Sequence, residues 1–198
     1  MKCRGLFALV LLATISVSNA QAGQVLLYAR MSGPAEAPPN TSPGAGLAFV
    51  TLDDVARTMR IQADFWGLQG NTTVAHIHGP TASPFTGTAG VMTPVPTFPG
   101  FPGGVKSGSY DRTFDLSLAS SYNPSFVTAS GGLPQAEQRL VNAILSGRAY
   151  LNIHSTVFPG GEIRGFFAPV PEPATLASAA IGGLLLIGSI RARSRSRA

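Results

Sequence analysis

All three histidines of this 198-residue chain fall in two short passages, Ala75-His76-Ile77-His78-Gly79-Pro80 and Tyr150-Leu151-Asn152-Ile153-His154-Ser155. On a β-strand, alternate side chains share a face, so His76 and His78 project together and Ala75 and Ile77 project oppositely. The same alternation sets Asn152 beside His154, opposite Leu151 and Ile153, and in the last such passage sets Glu162 beside Arg164. Two imidazoles from one strand and a third from a neighbour can supply three nitrogen ligands to zinc or copper and leave a position open. A single ion with ligand distances near 2 Å requires nitrogens no more than about 4 Å apart. Glu162 is then the candidate fourth ligand, or the group that orients an imidazole. The competing reading has His76, His78 and His154 hydrogen-bonded to Glu162, Arg164, Asn152 and the backbone in a polar network that fixes strand register. The sequence favours the network, because an inward Arg164 opposes a cationic centre unless Glu162 pairs with it.

Other chemistries are excluded more sharply. There is no Gly-x-Ser-x-Gly elbow, and Ser155 diverges from His154 on a strand, which argues against serine hydrolysis. No Gly-x-x-x-x-Gly-Lys-Ser/Thr loop occurs. The only cysteine is Cys3, so the rest of the chain has neither disulfide nor thiolate chemistry. Copper-zinc superoxide dismutase also carries a His-x-His on a β-sandwich, but three histidines are too few for its two-metal site. Asn40-Thr41-Ser42 and Asn71-Thr72-Thr73 fit the glycosylation pattern and are read as chance.

The elements that must position these residues are mostly strands. Met59, Ile61, Ala63 and Phe65 alternate with Arg60, Gln62 and Asp64, the period of a half-buried strand. That strand, 58–65, is expected to form a hairpin with 46–52. Further strands are read at 24–30, 73–78, around Tyr110 and Phe114 within 105–116, at 148–154 and at 162–167. The proline-rich connection 79–104 is expected to carry an edge strand near 91–98. Leu140, Val141 and Ile144 mark one short helix, 135–145, with Gly147 to end it. The expectation is an all-β, antiparallel sandwich or barrel with one helix. The strands 74–78, 148–154 and 162–167 should share one sheet, burying Ile77, Leu151, Ile153 and Ile163.

The two ends of the chain carry targeting signals. Lys2 and Arg4, an apolar stretch 6–17 and small residues up to Ala22 describe a signal peptide over 1–22, the substrate of signal peptidase. At the other end, Pro171-Glu172-Pro173 precedes seventeen uncharged residues, Ala174 to Ile190, and then Arg191, Arg193, Arg195 and Arg197. The run can span a membrane as a helix, and the arginines hold its far side in the cytoplasm. The formal charge of +5 belongs to these ends. Of fourteen basic residues, two lie in the leader and four in the tail, leaving eight against eight acids between them. The central domain, 23–168, is therefore neutral and offers no footprint for nucleic acid.

The segment 169–198 resembles the PEP-CTERM sorting signal of bacterial surface proteins. Glu36 within Gly33-Pro34-Ala35-Glu36-Ala37-Pro38-Pro39, His76-x-His78-Gly-Pro, Asn152-x-His154-Ser and Gly161-Glu162-x-Arg164-Gly together resemble the chordin-type CHRD domain, over roughly 25–167. The CHRD resemblance implies an immunoglobulin-like β-sandwich and an extracellular module; its Pro94–Pro102 passage departs from that pattern. The PEP-CTERM resemblance implies export across the inner membrane, transient anchoring, processing by an exosortase-type enzyme and association with extracellular polysaccharide at the cell surface. Trp66, Phe65, Tyr28, Tyr110 and Tyr122 are the candidates for sugar stacking, although aromatics in strands are more often core. The expected function is a non-enzymatic binding or structural module without a cofactor. The alternative is a mononuclear copper or zinc protein using His76, His78 and His154.

Overall fold

A computed structural model describes residues 23–170. The expected signal peptide, Pro171-Glu172-Pro173, the apolar span and the arginine tail lie outside the described residues. Among the described residues, no helix is long and apolar enough to cross a membrane.

Eight strands form one antiparallel sheet: β1 (Gln24–Ser32), β2 (Ala45–Asp53), β3 (Thr58–Trp66), β4 (Thr72–His78), β5 (Gly108–Asp115), β6 (Tyr150–Ser155), β7 (Ile163–Phe166) and β8 (Ala168–Pro169). Their order is β4-β6-β7-β1-β2-β3-β5, with β8 beside β1. β1 makes the corner. It pairs with β2 along its whole length but meets β7 only at Ser32 and Arg164. The sheet therefore curls, and its two wings bury their apolar faces in one core. Leu27, Ala29, Val50, Ile61, Ile77, Leu151, Ile153 and Ile163 all belong to that core. Each fully buried aliphatic side chain contributes about 1.5–3 kcal/mol relative to exposure. The alternation read from the sequence decides which face is buried: Met59, Ile61, Ala63 and Phe65 point in, while Arg60 and Asp64 point out.

The all-β, antiparallel, sandwich-like architecture and the 46–52/58–65 hairpin agree with the sequence reading, and β8 carries the pairing on to Pro169. The helix content does not agree. Among the described residues there are two α-helices, α1 (Pro124–Ser130) and α2 (Leu133–Leu145). α1 has little apolar periodicity and is set by its ends. The Asn123 side chain caps it by accepting from Ser125 N, Pro124 opens its first turn, and Gly131 closes it at φ 88°.

The strand expected near 91–98 is also absent; only an isolated bridge between His78 and Val91 is present. Prolines 94 and 96 cannot donate to a ladder, and threonine hydroxyls substitute. Thr93 Oγ1 accepts from Ile77 N and Thr97 Oγ1 from Ala75 N, both at 2.9 Å. Met92 N and Phe98 N donate to Ile77 O and Ala75 O. The loop thereby satisfies the outer edge of β4, which would otherwise be an open template for pairing.

Candidate metal centre

β4 and β6 pair with His76 opposite Asn152 and His78 opposite Tyr150, so both passages present their polar members on the face away from the core. His76, His78 and His154 converge there as an equilateral set, with ring centroids 5.9, 5.9 and 6.0 Å apart. One nitrogen from each lies within 4.8 Å of the others. Closing to the 4 Å or less that one ion imposes takes ring movements of about an ångström. His76 is 6% exposed, while His78 and His154 are partly exposed and leave a route to solvent.

The outward nitrogen of each ring meets a backbone carbonyl. His76 Nε2 is 2.7 Å from Pro96 O, His78 Nδ1 2.9 Å from Ala89 O, and His154 Nδ1 2.9 Å from Pro159 O. A carbonyl only accepts, so each of these nitrogens carries the proton. The remaining lone pairs, on His76 Nδ1, His78 Nε2 and His154 Nε2, are buried and have no hydrogen-bond partner among the described residues. Burial pushes the His78 pKa down to about 4 and also lowers that of His76. Imidazoles with fixed tautomers and convergent unpaired lone pairs are the donor set that zinc or copper takes. Two of the three carbonyls belong to the proline-rich loop and one to the β6–β7 turn, so these connections orient the rings.

The rest of the expected network is arranged differently. Glu162 makes no hydrogen bond to an imidazole. Its Oε1 accepts from Ser42 Oγ at 2.6 Å and Gln69 N at 2.5 Å, and its Oε2 from Gly70 N at 3.2 Å. Burial alone would raise its pKa, but hydrogen bonds from Ser155, Ser42 and the two amides outweigh this and lower it. Neither the fourth-ligand role nor the orienting role of Glu162 holds; it fastens the β3–β4 turn to the segment after β1. Asn40 fastens the same region by donating to Gly161 O and Glu162 O. The expected Glu162–Arg164 pair is replaced by Glu36 and Arg164, whose Oε2 and Nε are 3.8 Å apart. Arg164 also donates to Ala35 O and Gly87 O and lies 4.8 Å over the Tyr150 ring. It reaches the loops, not the imidazoles.

Asn152 does lie among the histidines, 4% exposed, with Oδ1 unpartnered. Sequence reasoning gave no role to Tyr150, which stacks on His78, or to the three carbonyls, which leave no trace in residue type. Of the aromatics considered for sugar stacking, Phe65, Tyr110 and Tyr122 are core. Trp66 is 52% exposed and, with Tyr28 and Phe49, lines a groove of about 770 Å³ on the outer face of β1–β3, away from the histidines.

The CHRD domain family model matches residues 27–167. No curated protein and no solved structure matches the chain.

Proposed function

The chain belongs to the CHRD domain family, and we propose that it is an exported, non-enzymatic binding module whose working site holds one zinc or copper ion on His76 Nδ1, His78 Nε2 and His154 Nε2. The observation that carries this reading is the convergence of three buried, unpartnered imidazole lone pairs, each on a ring fixed from behind by a carbonyl. A network built only to hold strands together would pair those atoms, since leaving a buried polar atom unpaired costs about 1–3 kcal/mol. CHRD domains are extracellular-type modules, consistent with the thiol-free composition beyond Cys3. Signal-peptide cleavage, anchoring through 174–190 and exosortase-type processing at Pro171-Glu172-Pro173 complete the proposal and rest on the resemblance of the two termini.

Metal analysis of the purified chain tests the site. The wild type takes up one equivalent of zinc or copper, and added metal raises its unfolding temperature by binding only the folded state. His78→Ala and His154→Ala lose stoichiometric uptake. A wild type that comes out metal-free and is not stabilised by either ion sinks the reading.

A second surface supports polysaccharide association. Trp66, Tyr28 and Phe49 present aromatic faces in the exposed groove, and such faces suit the apolar side of a sugar ring. Trp66→Ala should abolish retention on envelope polysaccharide without affecting metal uptake; unchanged retention removes the sugar-binding role.

A further inference from the structure

The outer face of β1–β3 lies where the described chain ends. β8 runs antiparallel to β1 with Ala168 opposite Tyr28 and Pro169 opposite Leu27, and Val170 continues that edge into the groove lined by Tyr28, Leu47, Phe49 and Trp66. Strand pairing keeps these side chains on one face: Tyr28 stands opposite Phe49, Arg30 opposite Leu47 and Trp66 opposite Ala45. Leu26, two residues before Tyr28, extends the same face and is exposed, as are Trp66 and Val170. Arg30 is exposed at the groove and forms no ion pair among the described residues, whereas Arg60 pairs with Asp111 and Asp64 accepts from Ser109 Oγ.

The expected span begins immediately beyond this face. Only Pro171, Glu172 and Pro173 separate Val170 from the apolar run Ala174 to Ile190, and even at full extension the steps from Val170 to Ala174 cover no more than about 14 Å. The headgroup layer on each side of a bilayer is about 5–7 Å deep. A domain anchored through 174–190 therefore cannot stand clear of the membrane, and Val170 must lie in or beside the headgroups. Tryptophan and tyrosine settle at that depth, and an arginine there meets lipid phosphate. Taking the anchor as given, we propose that the face bearing Tyr28 and Trp66 is the domain's seat on the phospholipid interface. While the chain is anchored, Leu26, Tyr28, Trp66 and Val170 lie among the headgroups and Arg30 pairs with lipid phosphate. The groove is then covered, so the polysaccharide assigned to it gains access only after release at Pro171-Glu172-Pro173.

Trp66 is the only tryptophan in the chain, so its fluorescence reports this face alone. The full chain, inserted into vesicles of phosphatidylethanolamine and phosphatidylglycerol that contain lipid brominated near the headgroup, should show a blue-shifted emission and lose most of it to bromine. The double variant Leu26→Asp, Arg30→Glu changes two exposed positions; it should insert equally and keep the native circular dichroism, yet emit as in water with little bromine quenching. Wild-type emission that bromine leaves intact in fully inserted chain overturns the seat. Quenching undiminished in the double variant also overturns it, because the short tether alone then brings Trp66 to lipid. A chain that alkaline carbonate strips from the vesicles has no anchor, which removes that reading and this inference together; the seat alone fails when the chain resists carbonate and Trp66 stays in water. The Trp66→Ala retention result bears on the sugar role only.

Discussion

His78 and Tyr150 lie face to face, ring centroids 5.1 Å apart and 6° from parallel, and a single residue holds both: Ala89 O accepts from His78 Nδ1, and Ala89 N donates to the Tyr150 hydroxyl at 3.3 Å. The ring of a candidate ligand is thus fixed in plane by a loop carbonyl and out of plane by an aromatic. Arg164 and Phe166 in turn pack on Tyr150.

Tyr150→Ala should remove this backing. The expected cost is about 3–5 kcal/mol in urea unfolding, as for other large buried aromatics, with metal affinity falling about 10–100-fold as when an orienting partner is lost. Tyr150→Phe keeps the stack and gives up only a long hydrogen bond, so it should lose about 1 kcal/mol or less and bind metal nearly as wild type. Undiminished metal affinity in Tyr150→Ala would show that the stack does not orient the ligand.

Glu162→Gln should separate structure from site. It exchanges a carboxylate that accepts from Ser42, Gln69 and Gly70 for an amide with one acceptor, and hydrogen bonds to charged groups are worth about 1.5–3 kcal/mol each. Stability should fall by about 2–4 kcal/mol while metal stoichiometry is retained. Loss of metal from a variant shown to be folded would return Glu162 to the centre.

The proline-rich loop can be tested at Thr93, which is fully buried and accepts from Ile77 N. Thr93→Val preserves shape and leaves that amide unpaired, at a cost of about 1–3 kcal/mol. Amide hydrogen exchange should quicken first at Ile77 and Met92. A variant as stable as wild type, with unchanged exchange there, contradicts the role assigned to the hydroxyl.

The pH dependence of stability, measured in chelator, follows from buried groups of opposite sign, Glu36 against His78 and His76. His78 has a folded pKa of about 4 against 6.5 for the free group, so the unfolded state binds more protons between these values and stability rises with pH across them. Glu36 has a folded pKa of about 7 against 4.5, so the folded state binds more protons there and stability falls as pH rises through that window. Between pH 4.5 and 6.5 the two contributions oppose, each at most about 1.4 kcal/mol per pH unit. Glu36→Gln should therefore give a stability that rises with pH more steeply than wild type in this range, and His78→Gln, which leaves only His76 to oppose Glu36, one that rises less steeply than wild type. Identical slopes in the two variants would refute the burial of both groups in these protonation states.

The sequence by itself determined which residues of the regular strands face the core, because the period of two in 58–66, 75–78 and 150–154 leaves only one way to bury Ile61, Ile77, Leu151 and Ile153. It also put His76, His78 and His154 in contexts where strand alternation aligns them. α1 and the loop-covered edge of β4 were less legible: one depends on capping by Asn123 and Gly131, and the other on threonine hydroxyls taking the place of a ladder that proline forbids. Only the tertiary structure decided which nitrogen of each imidazole is free. The deciding groups are the carbonyls of Pro96, Ala89 and Pro159, and every residue type has a carbonyl, so its direction is set by how the chain folds back. The acids are divided for the same reason. Glu162 is beside Arg164 in sequence, but the amides of Gln69 and Gly70 take its charge, and Arg164 meets Glu36, brought from 128 residues earlier by the curl of the sheet.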